Sequence, residues 1–82
     1  MTDSEAAVFE RFPGYRDVIV TLARRDARFR DRCGELRDTD KRLAELLGRP
    51  GRLMRLECEM LSRRQGALIE EIAVRLTQEN AA

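Results

Sequence analysis

The residue type best equipped for chemistry in this 82-residue chain is arginine. Fifteen arginines stand beside a single lysine, Lys41. A guanidinium presents its donors as a planar fork that grips carboxylate or phosphate bidentately. Arg24, Arg25, Arg28 and Arg32 fall at helical spacing and form a candidate set of phosphate contacts on a nucleic acid. Acids are interspersed, however: residues 11–37 carry eight arginines against Asp17, Asp26, Asp31 and Glu35. The whole chain has a net charge of +1, so no global field recruits nucleic acid or a membrane surface. A GC-rich genome also favours arginine codons. The competing reading of the stripe is a solvated helix face laced by ion pairs.

Other chemistries lack their residues. Histidine is absent, which removes histidine-based acid–base and triad catalysis. Gly48-Arg49-Pro50-Gly51 is too short for a phosphate-binding loop and lacks its Lys-Ser/Thr. Glu70 and Glu71 are adjacent on a helix and diverge. Two cysteines, Cys33 and Cys58, without histidine do not make a structural zinc site. The expectation is a non-enzyme with no catalytic residues, cofactor, metal or small-molecule substrate. The N-terminus shows no signal-peptide pattern, and no apolar run approaches the roughly 20 residues that span a bilayer. A cytoplasmic protein with reduced thiols is expected, with no membrane partner.

The elements that must position these residues are helices. Charged residues make up 38% and aromatics 5%, a composition typical of long helices and coiled coils. A short helix is expected over about residues 4–11, with Thr2 and Glu5 spaced as a capping box and Val8, Phe9 and Phe12 as contacts. From Tyr15 to Leu47, positions Tyr15, Ile19, Leu22, Asp26, Phe29, Cys33, Leu36, Asp40, Leu43 and Leu47 alternate by four and three, a heptad seam. The spacing predicts one uninterrupted helix over 14–47. A turn follows at 48–51, with Gly48 left-handed, and a second helix over 52–77, with residues 78–82 frayed. The expected fold is all-α: one domain over 1–82, an antiparallel two-helix hairpin with a short N-terminal helix, able to assemble into a four-helix bundle.

If Leu47 faces Met54, Leu43 meets Cys58, Asp40 meets Leu61, Leu36 meets Gln65, Cys33 meets Leu68, Phe29 meets Ile72 and Asp26 meets Arg75. The hairpin seam is therefore Leu22, Asp26, Phe29, Cys33, Leu36, Leu43, Cys58, Leu61, Leu68, Ile72 and Arg75. Asp26–Arg75 supplies a register-fixing ion pair, and Asp40 has no partner in this register. The two cysteines lie roughly 15 Å apart along the axis, too far for a disulfide, and are expected as small core residues. A second stripe on the last helix, Leu53, Leu56, Met60, Ala67 and Val74, exceeds what one neighbour can cover. It is the candidate interface for a homodimer or for another protein's helices. Gly66, costly in mid-helix, marks a close helix–helix approach.

Phe12-Pro13-Gly14-Tyr15-Arg16-Asp17-Val18-Ile19, then Leu22, then Asp26-Ala27-Arg28-Phe29, resemble the opening of the YdcH-like family, small bacterial helical-hairpin proteins of uncharacterised function. Asp40 with Leu43, and Leu68-Ile69-Glu70-Glu71-Ile72, are similar to later parts of its pattern. Gln65, Gly66, Ile69 and Thr39 depart from it. The resemblance implies a helical hairpin and makes Asp26 and Asp40 family positions. It supplies no catalytic residues.

Overall fold

The structure, a computed structural model, describes the backbone of residues 3–48 and 52–81 and the side chains of 5–48 and 55–80. The described residues are helical with no strand: α1 (Asp3–Arg11), a 3-10 turn (Pro13–Tyr15), α2 (Arg16–Arg25), α3 (Ala27–Leu47) and α4 (Arg52–Ala81). Thr2, and with it the expected capping box, lies outside the described residues, as do Arg49, Pro50 and Gly51 of the expected turn.

The uninterrupted helix over 14–47 is not what forms. Asp26 breaks it, with φ −118° and ψ 99°. Its N–H donates to the Leu22 carbonyl at 2.8 Å and closes α2. Its side chain accepts from the Phe29 N–H at 3.1 Å and opens α3. A short carboxylate at an N-cap satisfies a backbone donor that the first turn leaves unpaired. The seam aspartate is thus a helix start. Arg30 reaches back across the joint and donates to the Ala23 carbonyl at 3.0 Å, covering an acceptor at the end of α2. At the front of α2, Pro13 sits in its own 3-10 turn, and the Arg16 guanidinium lies 5.0 Å above the Phe9 ring, a cation–π contact that joins α1 to α2.

The core draws on all four helices. Val8, Ile19, Leu22, Phe29, Cys33, Leu36, Leu68, Ile72 and Leu76 form one buried cluster, with Phe9, Phe12, Tyr15, Val18 and Ile69 packed against it. Burying side chains of this size contributes about 2 kcal/mol each. α1 is therefore part of the core. It lies along the middle of α3, with Glu5 within electrostatic reach of Cys33 and Arg11 bonded to Asp40.

Three local expectations are corrected. Leu46 is buried at the end of α3 while Leu47 is 79% exposed. A straight helix turns every 3.6 residues and drifts off a strict 3.5-residue seam. Gly48 has φ −84° and ψ −1°, a right-handed end to α3. α4 continues past 77 to Ala81, because Glu79 pairs with Arg25 and Arg75 and holds the last turn.

Candidate interaction surface

Side chains of α3 and α4 face one another through a ladder of contacts. Asp26 accepts from Arg75 Nε at 3.1 Å, Arg32 donates to Glu71 at 3.0 Å, Arg64 pairs with Glu35, and Arg42 donates to Glu57 at 3.2 Å. Leu22, Phe29, Cys33, Leu36, Leu43, Leu68 and Ile72 are buried, whereas Asp26, Cys58, Leu61 and Arg75 are half-buried. The Phe29 amide, and next the Arg75 guanidinium, hold the Asp26 carboxyl below its ordinary range. Arg64, then Arg32, does the same for Glu35.

Asp40 has partners, but not Leu61. Both its oxygens accept from the Arg11 guanidinium, at 2.9 and 3.0 Å, and one also accepts from Gln65 at 2.6 Å. The bidentate fork ties α1 to α3, and the amide ties both to α4. Gln65 stands one turn beyond the residue that register arithmetic selected. Arg11 sits in a segment which that arithmetic did not place; its separation from Asp40 in sequence left no local signal.

The candidate phosphate contacts do not act as one stripe. The break at Asp26 puts Arg24 and Arg25 on α2 and Arg28 and Arg32 on α3. Arg25 is engaged by Glu79, and Arg32 by Glu35 and Glu71. Arg24 and Arg28 are exposed. Arg28, Arg32 and Arg75 line a cleft of about 310 Å³ together with Asp26, Phe29, Glu71, Ile72, Val74 and Gln78. Its two carboxylates offset the guanidinium charge.

Both cysteines are free. Cys33 is fully buried, and burial, with Glu5 nearby, pushes its thiol up to about 12. That is the reverse of an activated nucleophile. Among the described residues no group of three or more His, Cys, Asp or Glu is arranged to hold a metal ion, and no helix is long and apolar enough to cross a membrane.

The second stripe of α4 is bare. Leu56 is 57%, Met60 64% and Val74 52% exposed, and Ala67 is exposed between them. The Leu53 side chain lies outside the described residues. At about 100° per residue, Met60, Ala67 and Val74 share one line on α4, well away from the line of Leu61, Leu68 and Arg75 that faces α3. Arg63 and Glu70 flank this outer line; both are exposed, and neither has a hydrogen-bond or ion-pair partner among the described residues. No family model matches this chain, and neither a curated protein nor a solved structure matches it.

Proposed function

We propose that this chain is a non-enzymatic, cytoplasmic interaction module: a helical hairpin of the YdcH-like type that docks through α4 on a partner's helices or on a second copy, completing a helical bundle. The row of Leu56, Met60, Ala67 and Val74 carries the reading. It is spaced for a helix partner yet left open, while the opposite side of α4 is filled by α3. Exposed apolar rows at heptad spacing are characteristic of helix-docking surfaces. Nucleic-acid association, the alternative, has less behind it, since only Arg24 and Arg28 of its four candidate contacts lack a carboxylate partner.

The test is a photo-reactive side chain placed in the source cell at Met60 and, as control, at Asp31 on α3. Adducts at Met60 with none at Asp31 support the module. An unmodified chain at both positions overturns it.

A further inference from the structure

The outer face of α4 carries a pattern that singles out one occupant. Ala67 stands at the centre of the apolar line, with Met60 seven residues before it and Val74 seven after. Arg63 and Arg64 lie four and three residues before Ala67. Glu71 and Glu70 lie four and three residues after it. Reversing the helix about Ala67 therefore exchanges Met60 with Val74, and the arginine pair with the glutamate pair. A surface that matches its own reversed copy is what a two-fold axis requires.

Resting on the reading of α4 as a docking face, we infer that the partner is a second copy of this chain, bound through an antiparallel α4–α4 contact on a two-fold axis at Ala67. Met60 of each copy meets Val74 of the other, and Ala67 meets its own symmetry mate. Arg63 of each copy reaches Glu70 of the other, level to within one residue.

Two further observations fit this occupant. Arg64 and Glu71 are already held within the chain by Glu35 and Arg32, whereas Arg63 and Glu70, farther round the helix, are the charges without internal partners. Gly66 takes no part in this contact, because it lies about 100° round α4 from Ala67, and it marks no close approach within the chain. It is exposed, and a Cβ built there meets nothing within 4 Å. Glycine in mid-helix costs about 1 kcal/mol relative to alanine. On the two-fold axis the small Ala67 side chain lets the two backbones approach. A shallow depression lined by Ala67, Glu70, Glu71 and Val74 is where Met60 of the second copy arrives.

The experiment is sedimentation equilibrium of the purified full chain over a concentration series. The expected mass is twice 9.5 kDa at the upper concentrations. Arg63→Glu and Glu70→Arg each place two like-charge contacts across the axis, so each raises the dimer dissociation constant by about tenfold or more. The double variant restores it. Neither residue has a partner among the described residues, so the helical signal of the single variants stays at the wild-type level, which separates lost association from lost folding. A second measurement fixes the axis: Ala67→Cys in a Cys58→Ser background gives a disulfide-linked dimer on mild oxidation, and Gln78→Cys in the same background does not.

A 9.5 kDa species at every concentration overturns the second copy. So does a dimer indifferent to both charge reversals. If the purified chain is monomeric while Met60 cross-links in the cell to a different protein, the self-pairing fails and the docking function stands.

Discussion

The two ends of the α3–α4 pair use the same alphabet and reach different results. At one end Ile72 and Leu76 are 1% exposed, because Ile19 and Leu22 of α2 close over the pair. At the other, Leu47 and Leu56 are 79% and 57% exposed although they too are spaced at heptad intervals. Two helices cover only one stripe of each other. A third and fourth element are needed to bury the rest, and α1 and α2 reach only part of the length. Heptad spacing indicates that a side chain is available for packing. The number of neighbours decides whether it is packed.

The largest break in that contrast is Ile72→Ala. It opens a cavity in the enclosed end and is expected to cost about 2–5 kcal/mol in urea unfolding. Next comes Asp40→Ala, which removes the Arg11 fork and the Gln65 contact. About 1–2 kcal/mol is expected, with a local signature: amide exchange quickens in α1 while the C-terminal half of α4 keeps its protection. Joint loss in both helices would show that α1 has no separate clamp.

Acid sharpens the picture more gently. Asp26 and Glu35 are both held below the ordinary carboxylate value in the folded chain. Their contribution is complete above the unfolded value near about 4 and disappears as pH falls through the lower folded values. The urea midpoint should therefore decline with acid below that range, and Asp26→Asn should shallow the decline. The smallest effect is Leu47→Ala, within about 0.5 kcal/mol of wild type by thermal melting. A loss comparable to that of Ile72→Ala would mean that the open end is packed in solution.

Much of this was legible in the sequence, and the gaps have physical reasons. The all-helical class follows from composition and period. Asp26 and Arg75 stand opposite each other in the register arithmetic and meet at 3.1 Å. The break at Asp26 was hidden because the four–three alternation runs straight through it, with no glycine or proline to mark it. An aspartate on an apolar seam was nevertheless a cap signal in its own right. Asp40 was opaque for a different reason: its bidentate partner comes from α1, a short segment whose docking no periodicity encodes. The exposure of Met60 and Val74 was readable only as a surplus of apolar stripe, since a sequence does not count neighbours.

Asp26 and Asp40 also constrain how the gene can change length. They are two heptads apart, Asp26 at the start of α3 and tied to α4, Asp40 within α3 and tied to both α1 and α4. One codon inserted between them would turn Asp40 by about 100° and advance it about 1.5 Å, carrying its carboxylate away from Arg11 while Asp26 kept its cap. Seven codons would nearly restore the facing but carry Asp40 about 10.5 Å along the axis, beyond the reach of Arg11 and Gln65. Length variation between the two aspartates should therefore be rejected in single steps, which lose the facing, and in whole heptads, which lose the reach.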